Sequence, residues 1–366
     1  PVWLLFAASP VKTGVAFFSQ IDRMLIFSIK KFRPSLLTVV CTGFVALGQA
    51  DTGLQQLRYG NPGLTVDLAV GLWAWPMPMD YDGDGDLDLL VSCPDLPSNG
   101  TYFFENPGEG GAMPVFMPGV HLGKGYRSIR ASHVGGMDRI LIPAREFVGF
   151  RKKGFTDSVS IFPRENIHSN VIRNNQWSLL DYDGDDRIDL VVGVGDWTEY
   201  GWDNAYNARG EWQNGPLHGY VYWLRNTGSN ARPVYGTKQF VEAGGTPVDV
   251  YGLPTPCFAD FDADGDLDLV CGEFLDGLTY FENAGSRRHP HYLVGQRLRH
   301  DGGELKMDLQ MILPAAIDWD DDGDVDLIVG QEDGRVAFVE HTGRLANGVP
   351  VFAVPRFFQQ QAASVK

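Results

Sequence analysis

DYDGDGDLDLLVS, residues 80–92, decides the fold because the chain repeats it three more times. The other copies are DYDGDDRIDLVVG (181–193), DFDADGDLDLVCG (260–272) and DWDDDGDVDLIVG (318–330). In each copy carboxylates stand at positions 1, 3, 5 and 9, with Gly at position 6 in three of the four. This matches the front of an EF-hand loop, where the odd positions turn inward onto one ion. No helical pattern flanks the loops, so they are not EF-hands. An all-oxygen, carboxylate-rich set suits Ca²⁺, whereas Zn²⁺ would call for Cys or His, and the loops contain neither. A solvated acidic turn is the competing reading of any single copy. It does not account for four copies in register, each running into an apolar strand.

The expected ligand positions are Asp80, Asp82, Asp84, Asp86 and Asp88 in the first loop and Asp181, Asp183, Asp185, Arg187 and Asp189 in the second. Asp260, Asp262, Asp264, Asp266 and Asp268 form the third set, and Asp318, Asp320, Asp322, Asp324 and Asp326 the fourth. Position 7 (residues 86, 187, 266 and 324) contributes through its carbonyl oxygen. The second loop is expected to be the weakest, since Asp186 replaces the Gly at position 6 and Arg187 stands at position 7.

Outward from the loops, LDLLV, IDLVV, LDLVC and VDLIV read as short buried strands. Each is followed by an aromatic strand ending in a turn signal, as in TYFFEN (101–106), YVYWLRN (220–226) and LTYFEN (278–283), and then by a Pro-x-aromatic such as Pro114-Val115-Phe116. Repeats of this kind predict an all-β protein, a β-propeller of four-stranded blades, with a sandwich or solenoid as the alternative. The loop starts are 101, 79 and 58 residues apart. The first gap is expected to hide a blade without its loop near 126–175, and the second to carry an insertion at 196–217. Residues 54–76 are expected to supply part of a further blade. The expected parent is seven-bladed and truncated in this chain.

With these motifs the chain resembles the FG-GAP/VCBS repeat family, the calcium-loop propellers also found in integrin α-subunit heads. The resemblance spans roughly residues 70–352. It implies a propeller with Ca²⁺ in a hairpin loop and an extracellular setting. It leaves function open among adhesion modules, lectin-like modules and polysaccharide lyases.

The N-terminal region reads as a leader. From Met24 a basic segment with Lys30, Lys31 and Arg33 precedes a short apolar run and a small-x-small site at Gly48-Gln49-Ala50. This predicts a secretory signal at 24–50, an unstructured extension at 1–23, and a propeller domain at 51–366 that is secreted or in the cell envelope. No stable membrane span is expected once the signal is cleaved. Cys257 and Cys271 are read either as a disulfide or as two small core residues.

Formal net charge is −16, and the four Asp loops hold 21 of the 46 acidic residues. The acidic balance argues against nucleic acid as a partner. The insertion is the expected ligand site, through Trp197, Tyr200, Trp202, Asp203, Asn204, Tyr206, Arg209 and Trp212, because rings beside amides and carboxylates suit sugars. A basic zone containing Arg127, Arg130, His133, Arg139, Arg145 and Arg151 is a second candidate, for an acidic polysaccharide. The leading expectation is a binding module for carbohydrate or a cell-surface partner. The alternative is a lyase-like polysaccharide-degrading enzyme, with His133, His218 or Tyr200 as base and Arg130, Arg209 or Ca²⁺ opposing the uronate charge.

Overall fold

The computed structural model describes residues 63–168, 172–201 and 203–362; the extension and leader expected at 1–50 lie outside them. The described residues are almost entirely β. Five antiparallel sheets follow the repeat, each meandering through four strands in chain order. The first comprises Trp75–Met79, Asp88–Cys93, Gly100–Phe104 and Val120–Gly123. The third comprises Ile172–Leu180, Asp189–Asp196, His218–Leu224 and Gln239–Phe240, with Asp249–Val250 also pairing on its third strand. The fourth comprises Thr255–Ala259, Asp268–Gly272, Leu278–Phe281 and Gln296–Arg297, and the fifth Leu313–Ile317, Asp326–Gly330, Val336–Val339 and Arg356–Phe357. Smaller sheets lie between these, one of them built from Arg299–His300, Gly303–Glu304, His341–Ala346 and Val349–Phe352. No helix among the described residues is long and apolar enough to cross a membrane.

The second sheet, Arg130–Val134, Met137–Ile142, Arg145–Phe147 and Ser158–Ser160, falls in the gap where a repeat without its loop was expected. Its first hairpin closes through Gly135 and Gly136, with φ of 61° and 70°. Two consecutive left-handed residues make the tight turn that matches strand twist, so a two-residue link replaces the nine-residue Asp loop.

The first strand of each sheet packs against that of the next around a closed circuit, except that the fourth sheet's first strand meets the third sheet's second strand. These inner strands carry Pro76, Pro256 and Pro314 at matching register, opposite Val91, Cys271 and Val329. An inner edge has no further strand to bond, so proline costs no ladder bond there and blocks stray pairing. The Gly that ends the apolar run of a repeat makes room for the next proline: a Cβ on Gly272 would lie 2.6 Å from Pro314 Cδ, and one on Gly330 2.8 Å from Pro76 Cδ.

Aromatic contacts follow the same circuit. The residue at position 2 of each Asp loop packs on the following repeat, outside its four-stranded sheet: Tyr81 on Phe150, Tyr182 on Tyr292, Phe261 on Phe352 and Trp319 on Phe116. Three of those partners are the aromatic of a Pro-x-aromatic. The Trp319 contact runs from the fifth repeat to the first, with its Nε1–H donating to the Ala112 carbonyl at 2.9 Å. The first and last described strands meet beside it, where Thr65–Asp67 pairs antiparallel with Gln359–Gln361, and the latter strand pairs parallel with Val115–Phe116.

The disulfide reading of Cys257 and Cys271 is corrected, as both thiols are free and buried. Cys257 pairs with Val270, one residue out of register with Cys271. Alternation therefore sends the two sulfurs to opposite faces of the sheet, into different core clusters.

Candidate metal centres and recognition surface

All four Asp loops join the first strand of a sheet to the second, so they lie at the same end of their sheets. In three of them the carboxylates at positions 1, 3 and 9 converge, in Asp80/Asp82/Asp88, Asp181/Asp183/Asp189 and Asp318/Asp320/Asp326. In the third loop they are Asp260, Asp262 and Asp264. Within each group one oxygen per residue lies within 4.8 Å of the others. The donors fit a hard divalent metal ion: all are carboxylates, and Asp183 Oδ1, Asp318 Oδ1 and Asp320 Oδ1 are buried oxygens without a hydrogen-bond partner.

Position 9 also has a second job. Asp268 accepts the Phe261 N–H at 3.3 Å and the Asn283 N–H at 2.8 Å, and Asp326 accepts those of Trp319 and His341 at 3.0 and 2.7 Å. Asp88 and Asp189 make the same pair of bonds. This aspartate thus staples the loop to the end of the third strand. Burial pushes the carboxyls of Asp88 and Asp189 up to about 6 and those of Asp268 and Asp326 to about 7, despite the backbone bonds that oppose the rise. Asn106, Asn226 and Asn283, legible in the sequence only as turn residues, complete the staple. Asn283 Oδ1, for example, accepts the N–H of Gly285 at 3.1 Å and of His291 at 2.8 Å.

Position 5 also shapes the turn. Asp84, Asp185, Asp264 and Asp322 each accept the N–H of the residue at position 7, at 2.9–3.0 Å. Positions 4 and 6 both take left-handed backbone. Gly occupies most of them, but Asp186 has φ of 67°, Ala263 61° and Asp321 59°. The strain expected at Asp186 is present, and the strain at position 4 had no sequence signal.

The second loop differs in charge as well. Arg187 Nη2 sits 2.7 Å from Asp185 Oδ2, while Arg225 reaches Asp183 at 2.8 Å and Asp185 at 2.9 Å. Arg187 and then the other bonded donors hold the Asp185 carboxyl down at about 2. The other repeats carry Glu105, Glu282 and Glu340 where Arg225 stands, and Asp where Arg187 stands. Two guanidinium groups thus occupy carboxylate oxygens that the other loops leave for a cation.

The 196–217 insertion joins the second and third strands of its sheet, at the end away from the Asp loops. Trp197 is buried and anchors it, packing on Tyr200 and Phe274 with Nε1–H donating to the Gly252 carbonyl at 3.3 Å. Tyr200 and Trp212 stack at 4.6 Å and Tyr206 meets Trp212 edge-on at 5.2 Å, with Tyr206 59% exposed. Asp203, Asn204 and Arg209 are exposed around these rings; Trp202 lies outside the described residues.

The candidate bases are all engaged. His133 Nδ1 lies 2.6 Å from Asp138, which also pairs with Arg151. His218 has Asp249 2.6 Å from Nδ1 and Glu199 3.6 Å from Nε2; burial pulls its pKa down, but these carboxylates outweigh it and the net shift is upward. Tyr200 donates to Asp203 at 3.0 Å, and burial followed by that bond pushes it up to about 12. Arg130 points into an axial cavity of about 430 Å³ lined by inner strands of all five sheets. Its guanidinium donates to the Pro314 and Pro256 carbonyls at 2.9 and 3.3 Å and to Gln176 at 3.1 Å. Arg130 and His133 therefore belong to the axial cavity, and Tyr200, Arg209 and His218 to the insertion end. No protein-family model matches the chain, and no curated protein sequence matches it.

Proposed function

We propose that the chain is a calcium-stabilised β-propeller of the FG-GAP/VCBS kind, with five blades in place of the seven expected, acting as a secreted carbohydrate-binding module. The fold reading rests on the circuit of inner strands, prolines and loop aromatics that returns from the fifth sheet to the first. Ca²⁺ is the ion because each loop offers only oxygen donors from flexible side chains, and such sites suit extracellular calcium. The positions 1, 3 and 9 carboxylates would hold it, with Asp264 taking part in the third loop. The bound ion supplies charge neutralisation, which lets buried carboxylates stay ionised beside the strands they staple.

The observation that carries the binding reading is the Tyr200–Trp212–Tyr206 ring cluster, half exposed on a long insertion that Trp197 pins to the sheets. Such rings stack on sugar C–H faces while neighbouring Asp203, Asn204 and Arg209 reach hydroxyls. A lyase reading is less well supported, since the Tyr200 phenol is pushed up to about 12 and the carboxylates around His218 favour its protonated form, which leaves neither poised to abstract a proton. The test incubates the calcium-loaded protein with neutral and acidic polysaccharides, recording binding and new unsaturated ends. Binding without product, lost in Trp212→Ala, is expected. Unsaturated product that disappears in His218→Ala would overturn the module reading in favour of the enzyme.

A further inference from the structure

At the same end as the insertion, where the first and third sheets flank the second, a cavity of about 320 Å³ is lined by Arg127, Ser128, Arg164, Arg173, Asn174 and Asn175 among others. Its polar lining consists largely of donors. Asn174 and Asn175 are each 2% exposed, and the side-chain N–H₂ of each lacks an acceptor. Ser128 Oγ bonds Asn174 Oδ1, so the carbonyl is used while the buried amide nitrogen has no partner. A buried N–H₂ without an acceptor is costly; Asn174 and Asn175 are consecutive on one strand, so their side chains leave opposite faces of the sheet, and Asn174, bonded to the cavity residue Ser128, is the amide that calls for an oxygen the chain itself does not provide.

The charges agree. Among the described residues, neither Arg127 nor Arg173 forms an ion pair with a carboxylate. Each is instead braced by a ring, Arg127 5.1 Å over Trp73 and Arg173 4.6 Å over Trp197. Burial and then the neighbouring Arg127 charge pull the Arg173 pKa down, opposed by Asp203 and Glu332, which act from beyond ion-pairing distance. Arg164 Nε donates to His168 Nε2 at 3.3 Å, leaving its terminal nitrogens available.

We infer that this cavity is an oxyanion site: Arg127 and Arg173 hold a carboxylate or sulfate group while the Asn174 amide donates to one of its inner oxygens. Trp197 braces Arg173 and also anchors the insertion, so the oxyanion would sit beside the ring cluster as the charged substituent of an acidic saccharide. That last step rests on the carbohydrate reading; the anion site does not.

The test uses the full calcium-loaded chain and tryptophan fluorescence with calorimetry. The probes are trigalacturonate, a sulfated trisaccharide, the neutral trisaccharide maltotriose, and inorganic sulfate. Binding of at least one anionic probe is expected to weaken roughly ten- to a hundredfold in Arg127→Gln and Arg173→Gln, with partial rescue in Arg173→Lys. Asn174→Asp places a carboxylate where the oxyanion would lie and is expected to abolish anion binding while keeping or raising the melting temperature, which separates lost binding from lost folding. Inorganic sulfate binding with no saccharide binding would support the site and sink the saccharide reading. Maltotriose binding with no response to any anion, or anion affinities unchanged in both arginine variants, would overturn the site.

Discussion

Removing metal should make this protein prefer acid. Four position-9 aspartates and Asp266 are buried among other carboxylates, and their raised pKa values mean that the folded state favours the protonated form. For an acid raised in the folded state, stability is lost as pH rises through the folded pKa and regained as pH falls through it. Asp268 and Asp326, at about 7, should each return about 1.4 kcal/mol between pH 8 and pH 6, one factor of ten in their folded-state protonation. Asp88, Asp189 and Asp266, at about 6, return less over that range and go on returning stability until pH falls to the ordinary carboxylate value of about 3.9. The buried rings of His341 and His168 act in the opposite sense, because burial lowers their pKa and stability is lost as they charge below about 6.5. Two histidines do not cancel five carboxylates, so the metal-free protein should melt roughly 5–10 °C higher at pH 6 than at pH 8.

The assay is thermal unfolding by circular dichroism in excess EDTA at constant ionic strength, repeated in excess Ca²⁺. Calcium binds the ionised carboxylates and so takes over the charge that protons neutralise in its absence. Its stabilisation should therefore be largest at pH 8 and shrink towards pH 6, flattening the profile. A metal-free melting temperature that is flat, or that falls from pH 8 to pH 6, would refute the account of these aspartates as buried charge awaiting a cation.

Three further outcomes follow from single features. Calorimetric titration of the metal-free protein should count three tight Ca²⁺ sites and one much weaker, with Arg187→Asp combined with Arg225→Glu strengthening the fourth; four equal sites in the unaltered protein would contradict the role given to the two arginines. Gly272→Ala, whose Cβ would crowd Pro314, should cost about 1–3 kcal/mol in urea unfolding, and Trp319→Ala about 3–5 kcal/mol through the gap left against Phe116 and Phe358. Asp186→Gly should stabilise by up to about 1 kcal/mol by relieving a left-handed aspartate, measured in EDTA so that metal affinity does not enter.

What the sequence made legible was local. Alternating aspartates, β-branched runs and Asn-x-Gly turns placed two strands of each loop-bearing repeat. The repeat that lacks a loop was legible only as the gap in spacing near 126–175. What it hid was relational. Nothing in DYD, DFD or DWD says that the middle aromatic packs on the next repeat, because that contact crosses between repeats. Arg225 lies well over thirty residues from the aspartates it neutralises, so only Arg187 hinted at the altered second loop. Trp197 read as a ligand ring because composition favours sugars, yet its indole is buried against the Gly252 carbonyl. Asn174 and Asn175 looked like ordinary strand polar residues; their meaning depends on missing acceptors, a property of three-dimensional surroundings alone.

The acidity of the chain illustrates the same gap. A net charge of −16 suggests a protein that repels anions, but nearly half of its acidic residues lie in loops at one end of the sheets. Inner strands of five residues, at roughly 3.3 Å each, put about 17 Å between that end and the other. Salt screens exposed charges over about 8 Å under physiological conditions, so the field of the loops is largely spent before it reaches the far end. Bound calcium would reduce it further. Arg127 and Arg173 stand at that far end without an ion-paired carboxylate among the described residues, and the local potential is set by them and by their neighbours Asp203 and Glu332, not by the total. An anionic ligand is then compatible with an acidic protein, provided that it approaches from the side the aspartates do not occupy. Binding at the arginine cavity should accordingly weaken with added salt, while the effect of neutralising a distant loop carboxylate, as in Asp84→Asn, on anion affinity should be negligible.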